Sequence, residues 1–399
     1  MLPRLRFLTA GESHGPKLTA ILEGVPAGIA LKSSLINDDL ARRQQGFGRG
    51  GRMKMEHDTV TITSGVAAGL TTGAPLAMEL ANVDYKNWEK KEISPMTTPR
   101  PGHADLTGAL KYGHFDLRLS LERASARETA MRVCVGGVCK QILSAFGVHV
   151  GGYVAQIGSL SVDLEESSDE KIYQNRFDVA LGNEFALPVK NFEDQVRQEI
   201  QACMKDKDTL GGVLEIVALG VPVGLGSYAH FDRRLEAQIG MALLSIQAMK
   251  GVEFAHAFDN SKLRGTQVHD EIFTDKTGNL YRKTNRAGGF EGGITTGSPI
   301  VARVAMKPIS TTLNPLGSVD LATGDASPTT YERSDFCAVP RAVPIAEAMM
   351  AFVLAQALLE KLGGDSLQEM KKHFDGLSQN RLSDLNLTNK PWCFGYDKI

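Results

Sequence analysis

Apolar residues return along this chain with two different periods. In four stretches they recur every three or four positions, which places them on one face of a helix. These are ERASARETAMRVCVGGVCKQILSAFG (122–147), NFEDQVRQEIQACMKD (191–206), FDRRLEAQIGMALLSIQAMKG (231–251) and IAEAMMAFVLAQALLEKLGG (345–364). The first opens with Ser125 and Glu128 in the spacing of a capping box and closes at Gly147; the third has Asp232 at the N-cap position and Gly251 past its end. Between the helices lie β-branched runs bordered by glycine, TVTITSGV (59–66), VHVGGYVAQIGSL (148–160) and GVLEIVALGVP (212–222), and these predict strands. Helices packed against sheets make the class α+β.

Two pieces of the pattern occur twice, in the same order. LEGVPAGIAL (22–31) resembles ALGVPVGLGS (218–227), and GLTTGAPLAMEL (69–80) resembles GITTGSPIVARV (293–304). In each copy an apolar run ends at Gly-Val-Pro, and a later Thr-Thr-Gly turn leads through proline into another apolar run. No linker-like composition separates the copies, so the expectation is a single domain over 1–399, internally duplicated, with pseudo-repeats of roughly 1–150 and 151–399. The second copy is stretched by the polar segment FDNSKLRGTQVHDEIFTDKTGNLYRKTNRAGG (258–289), which reads as a functional loop or lid.

Composition narrows the class. With 399 residues, 42% hydrophobic and 23% charged, the chain can bury one large core or two moderate ones, which excludes disordered and fibrous classes. A net charge of −2 argues against general nucleic-acid binding. The opening residues MLPRLRFLTAGE turn polar too soon for a secretory signal. The longest apolar stretch, AVPIAEAMMAFVLAQALL, carries Glu347 and Gln356 at the length of a buried helix. A cytoplasmic protein without a membrane span is expected. Cys134, Cys139, Cys203, Cys337 and Cys393 are odd in number and lack paired spacings, so they read as free thiols and no metal site is expected.

Arginine is the first chemical signal. Arg42, Arg43, Arg49 and Arg52 fall within RRQQGFGRGGR, where four glycines discourage a helix and let the backbone approach a ligand. Arg100 follows in TPRPGHAD, Arg123 and Arg127 stand one helical turn apart, and Arg333 lies in YERSD. Guanidinium groups bind carboxylate and phosphate through paired hydrogen bonds, so a small polyanion would draw on several of them. A single arginine is more often an ion-paired surface residue; the glycine spacing argues for function in the first loop, whereas Arg118 and Arg132 read as structural.

Histidine is the second signal. His14 in GESHG and His103 in RPGHAD sit in glycine turns beside carboxylate or hydroxyl neighbours, a setting for proton transfer near neutral pH. A Ser13–His14 nucleophile pair is disfavoured, since adjacent residues rarely point at each other and no G-x-S-x-G elbow exists. Nor is there a G-x-x-x-x-G-K-[ST] loop or a Rossmann glycine pattern. A phosphorylated cofactor would need another cradle, such as the helix N-terminus near RASARE, with KPIST (307–311) offering a cation and hydroxyls.

Taken in order, GESHG, GVPAGI, RRQQGFGRGGRMKMEHDTV, SGVAAGLTTGAPL, RPGHAD, KYG, RASARETA, QAMKG, GGFEGGITTG, MKPIST and ERSDFCAVPRA resemble the chorismate synthase family over nearly the whole chain. The resemblance implies the last step of the shikimate pathway, in which 5-enolpyruvylshikimate 3-phosphate loses phosphate and a ring proton to give chorismate. It implies a requirement for reduced FMN without net redox change, with NADPH or an external reductase left open as the source of reduced flavin. It also implies a homotetramer whose subunits hold helices between two mainly antiparallel sheets, a β-α-β sandwich.

The same resemblance assigns residues. A substrate with two carboxylates and a phosphate needs several cations, and Arg43, Arg49, Arg52, Arg100, Arg127 and Arg333 are implied to line its site. The implied flavin contacts are Arg123, Ala124, Ser125, Gln247, Ala248, Gly292, Lys307, Pro308, Ile309, Ser310, Thr311 and Arg333, with Lys307 neutralising the flavin phosphate. His14 is implied where phosphate leaves, with Ser13 fixing its hydrogen bonds; His103 faces the flavin; Asp335 takes part in the path of the ring proton. The run FDLRLSLERAS departs from the pattern of many relatives, so 115–121 and His114 receive no role. Two other classes share the anion site: a phosphosugar or shikimate-type transferase or lyase without flavin, and a non-catalytic anion-binding module, which leaves His14, His103 and Asp335 unexplained.

Overall fold

The computed structural model describes residues 4–47, 57–332 and 335–395. Two antiparallel sheets carry the architecture. The first contains β1 (Arg6–Ala10), β2 (Lys17–Glu23), β3 (Thr61–Ser64) and β4 (Leu76–Ala81) in the order β1-β2-β4-β3. The second contains β5 (His149–Ile157), β6 (Leu160–Ser161), β7 (Gly212–Leu219), β8 (Met249–Phe254) and β9 (Ile300–Met306) in the order β8-β9-β7-β5-β6. In β2 and β4 burial alternates, and Leu18, Ala20, Leu22, Leu76, Met78 and Leu80 make one inward face.

The longer helices are α1 (Ser33–Gln44), α2 (Asp105–Tyr112), α3 (Arg118–Ala124), α4 (Thr129–Ser144), α5 (Glu170–Leu181), α6 (Glu193–Lys205), α7 (Leu235–Leu244), α8 (Val339–Leu362) and α9 (Leu367–Asp375). Helix α4 rests on β2 and β4, α8 rests on β5 and β7, and α4 and α8 pack on each other. That last contact is close because α4 is flat where it crosses α8. A Cβ built on Gly136 would overlap Ala348, and one on Gly137 would come within 3.0 Å of Ile36 Cγ1 in α1. On the far side of the second sheet, Tyr173 and Phe177 of α5 cover Tyr153, Val217 and Val301.

Helix α8 is the one described helix long and apolar enough to cross a membrane, and 89% of its apolar window is buried inside the protein. It is a core helix, and it carries an ion pair into the core. Arg42 Nη1 and Nη2 donate to Glu347 at 2.8 and 2.7 Å, and Lys140 Nζ donates to Glu347 and Asp39 at 2.7 Å each. Burial alone would raise the Glu347 carboxyl; the charges of Arg42 and Lys140 overcome that and hold it down to about 2.

The two Gly-Val-Pro pieces close with the same bonds. Thr71 Oγ1 donates to Pro26 O at 2.5 Å and accepts from Ile29 N at 2.9 Å, while Thr295 Oγ1 donates to Pro222 O at 2.7 Å and accepts from Leu225 N at 2.9 Å. Thr72 N donates to Gly65 O and Thr296 N to Gly289 O, both at 3.0 Å.

Several sequence expectations shift. Helix α8 begins at Val339 rather than 345, because Pro340 sits in its first turn, where proline costs no hydrogen bond. Helix α7 stops at Leu244 and QAMKG runs into β8, with Ala248 turned to φ +68° at the junction. Asp232 pairs with His230 at 2.8 Å and does not cap α7. The hydroxyl of Ser125 accepts from Arg127 N at 3.2 Å over a 3₁₀ turn (Ala126–Glu128), so α4 proper starts at Thr129 and the capping box does not form. The glycine-spaced arginine stretch is helical through Gln44, which puts Arg42 and Arg43 on α1. Segment 258–289 holds short helical turns and a hairpin of Ile272–Thr274 with Leu280–Arg282. Asp270 ties it together through Thr284 Oγ1, Arg286 N and Ala287 N at 2.5, 2.9 and 3.0 Å.

Two stability measurements check this packing. Gly136→Ala gains helix propensity of about 1 kcal/mol, yet it is expected to lower the denaturation midpoint, because the added methyl overlaps Ala348. A raised midpoint would show that α4 and α8 have room to separate. The Glu347 carboxyl lies below its ordinary value of 4.5, so its stabilisation is complete above that pH and is lost as pH falls towards about 2. Denaturant midpoints across that window should fall more steeply for the wild type than for Glu347→Gln.

Candidate active site

A cleft of about 1260 Å³ is lined by both halves of the chain: the GESHG turn, the end of α1, the 84–104 region, the α3–α4 junction, the α7–β8 junction, the stretch after β9 and the start of α8. It exceeds the roughly 300–1000 Å³ usual for one small ligand, leaving room for two.

Its floor is cationic. Arg127, buried, donates from Nη1 and Nη2 to Asp58 at 2.5 and 2.8 Å and from Nε to Asn82 Oδ1 at 2.9 Å. Arg43 reaches the same carboxylate at 3.9 Å and donates to Thr129 Oγ1 and Ala126 O at 3.1 and 2.8 Å. Arg341 donates to Gln45 O at 3.0 Å and pairs with Asp335. Burial first, then the charge of Arg127, pushes the Arg43 guanidinium down to about 10. Such crowding of buried positive charge is relieved by an incoming anion.

Two histidines face the cleft, each with a carboxylate behind it. His14 Nδ1 donates to Glu122 Oε1 at 2.7 Å, and its backbone N–H donates to Oε2 at 2.8 Å. Its ring lies over Trp88 with centroids 4.1 Å apart. Asn82 Nδ2 donates to Glu12 O and Gly15 O at 3.2 and 2.8 Å, clamping the GESHG turn to the residue that also holds Arg127. Ser13 is buried, and its Oγ accepts from Ser125 Oγ at 3.2 Å. His103 Nδ1 lies 2.5 Å from Asp105 Oδ1 and 3.0 Å from Arg100 Nη2. Burial alone would raise the Asp105 carboxyl; hydrogen bonds from His103 and Arg100 outweigh it and hold it far below the usual range.

Of the expected substrate arginines, Arg43, Arg100 and Arg127 line the cleft; Arg49, Arg52 and Arg333 lie outside the described residues. Arg100 is directed mainly at protein groups: Nε and Nη2 donate to Asp105 at 2.8 and 3.0 Å, and Nη1 donates to Thr311 at 3.1 Å. Ser13, His14, His103, Asp335, Ala124, Ser125, Gln247, Ala248, Lys307, Ile309, Ser310 and Thr311 also line the cleft. Three expected contacts do not. Arg123 is turned to the edge strand, donating to Thr9 O and Oγ1 at 2.9 Å; Pro308 packs over Gly211; Gly292 is exposed on a short hairpin. Segment 258–289 does not border the cleft, so nothing in its placement makes it a lid over it.

The cofactor side fits a flavin phosphate ester in two respects. Gln247 Oε1 is a buried acceptor without a hydrogen-bond partner in the described protein, suited to a heterocyclic N–H. Lys307 and Lys250 share one wall, where burial and then the charge of Lys250 lower the Lys307 ammonium, a pairing suited to phosphate. Asp58, Asp105, Glu122, Trp88, Lys250 and Arg341 were not singled out from sequence. Asp58, Asp105, Glu122, Lys250 and Arg341 border or fall within the motifs quoted above; Trp88 has no such signal.

The comparisons with known proteins point one way. The family model for chorismate synthase matches residues 5–359. The chorismate synthase of Sulfurihydrogenibium sp. is 48% identical over 389 residues, spanning 95% of this chain and 100% of that protein; that of Aquifex aeolicus is 50% identical over 93% and 96%. A crystal structure of chorismate synthase superposes with a TM-score of 0.78 at 42% identity, covering 94% of this chain and 97% of that one. The match therefore takes in both sheets and every wall of the cleft.

Arg43→Ala removes one charge-assisted contact, worth about 1.5–3 kcal/mol. It is expected to weaken inorganic phosphate binding by about 10- to 100-fold, read from the phosphate dependence of the thermal midpoint. An unchanged dependence would place the anion elsewhere.

Proposed function

The chain belongs to the chorismate synthase family, and on that premise we propose how its cleft carries out the family's reaction. That reaction, loss of phosphate and a ring proton from 5-enolpyruvylshikimate 3-phosphate to give chorismate, is the activity of this chain, and it uses reduced FMN. When bound, reduced FMN supplies the electron-rich partner that phosphate departure needs, with no net redox change. Ser125, Gln247, Ala248, Lys307, Ile309, Ser310 and Thr311 would hold it, joined by Lys250.

The observation that carries the assignment of roles is the pair of carboxylate-anchored histidines on one cleft that buried arginines also line. Arg43 and Arg127, joined by Arg49, Arg52 and Arg333, bind the substrate's anionic groups. Arg100 acts chiefly on Asp105 and so on His103, which its hydrogen bonds support. His14 protonates or neutralises the departing phosphate, His103 holds a proton at the cofactor side, and Asp335, ion-paired to Arg341, relays the ring proton.

We further infer an internally duplicated single domain forming a β-α-β sandwich. The paired bonding of Thr71 and Thr295, and the stacking of α4 and α8 between the sheets, support it. A homotetramer in the cytoplasm is the assembly we propose. Exposed Leu8, Phe115, Phe231 and Met241, each more than two-thirds accessible, support it as surface that assembly would cover.

His14→Ala and His103→Ala are each expected to lower kcat by a factor on the order of 10–10⁴ while the circular dichroism of the protein is unchanged. If anaerobic assays with dithionite-reduced FMN give turnover near that of the wild type for both, the proton-transfer roles are wrong.

A further inference from the structure

We propose that Glu122 is a positioning residue for this reaction: with the Trp88 ring, its carboxylate holds the His14 imidazole with Nδ1–H turned away from the cleft and Nε2 presented to it. The proposal rests on reading His14 as the group at the leaving phosphate.

Both carboxylate oxygens of Glu122 are committed to His14, Oε1 to the ring Nδ1 at 2.7 Å and Oε2 to the backbone N–H at 2.8 Å. The bond is repeated along the backbone, where Ser13 N donates to Glu122 O at 3.2 Å, so the GESHG turn and α3 are fastened together on either side of the ring. Glu122 lies behind His14 and does not line the cleft, whereas His14 does. Burial alone would raise the Glu122 carboxyl, but the hydrogen bonds from His14 overcome it and hold it below its ordinary range. An ionised carboxylate only accepts, so Nδ1 keeps its proton whatever the ring does. The nitrogen that exchanges a proton with a ligand is therefore Nε2.

Trp88 closes the other route of escape. Its ring covers that of His14 at 4.1 Å and 36°, and its Nε1–H donates to Asp84 Oδ2 at 3.1 Å, which fixes the indole. Arg118, one turn before Glu122 on α3, lies 5.7 Å from the same indole, with Lys91 at 4.9 Å. A flipped imidazole would set a C–H against the carboxylate and lose the charge-assisted bond.

The test is a double-mutant cycle with a spectroscopic readout on the full chain. In FMN-loaded enzyme, Glu122→Ala should lower kcat about 100-fold with the substrate KM within about threefold, and the isosteric Glu122→Gln, whose amide oxygen still accepts from Nδ1, should lose less. In a His14→Ala background Glu122→Ala should change kcat by less than about twofold, because nothing remains to be positioned. Trp88 and Trp392 are the only tryptophans, and Trp392 is exposed in the C-terminal segment, so Trp392→Phe isolates the emission of Trp88. That emission should change in Glu122→Ala in the direction it changes in His14→Ala, as the stacked imidazole is released. Equal loss of kcat from Glu122→Ala in both backgrounds, or Trp88 emission that ignores Glu122→Ala, overturns the proposal. Full kcat in His14→Ala overturns the reading of His14 itself, and is distinguishable because it needs no substitution at Glu122.

Discussion

Asp58 is the carboxylate on which the site depends. Two buried guanidiniums, Arg127 and Arg43, converge on it, and burying a cation without a partner would cost several kcal/mol. The pairing also dictates geometry. Arg127 stands at the α3–α4 junction, Arg43 at the end of α1, and Asp58 just before β3, so three distant parts of the chain are drawn to one point. From there Asn82 carries the constraint to the GESHG turn, which it grips through two carbonyls. The arginine pair and the histidine turn beside it are therefore tied into one unit.

Carboxylates do the same work throughout the cleft. Glu122 behind His14, Asp105 behind His103 and Asp335 beside Arg341 each use an acceptor to aim a donor. The consequence is a wall of oriented donors: Glu122 and Asp105 lie behind it, while Asp335 lines the cleft beside Arg341. On the proposed assignment, a phosphorylated, dicarboxylated substrate would meet positive charge already paid for in folding, which is the condition for strong electrostatic stabilisation of a departing phosphate.

The scaffold keeps that wall still. Helix α8 is apolar all round and buried, and it is set against α4 at a glycine face that permits close approach. Its one buried carboxylate, Glu347, ties it to α1 through Arg42, the neighbour of Arg43. Helix packing and site geometry thus meet at adjacent residues of α1.

Period and spacing alone determined much of this protein. The α+β class, the core of α4, α6 and α8 and the Thr-Thr-Gly echo follow from apolar periodicity and turn residues, which are local properties. The motifs that carry the family resemblance are local too, and they brought out His14, His103, Arg43, Arg127 and Lys307. Tertiary structure alone decided which carboxylate stands behind each cation or imidazole. Asp58 is 69 residues from Arg127, and Glu122 is 108 from His14, distances over which no periodicity speaks. It also turned Arg123 to the edge strand and most of Arg100 to Asp105, and ended α7 at Leu244 so that QAMKG could enter a sheet. Charge pairing acts through space, at a few ångströms, and the chain must fold before the partners exist.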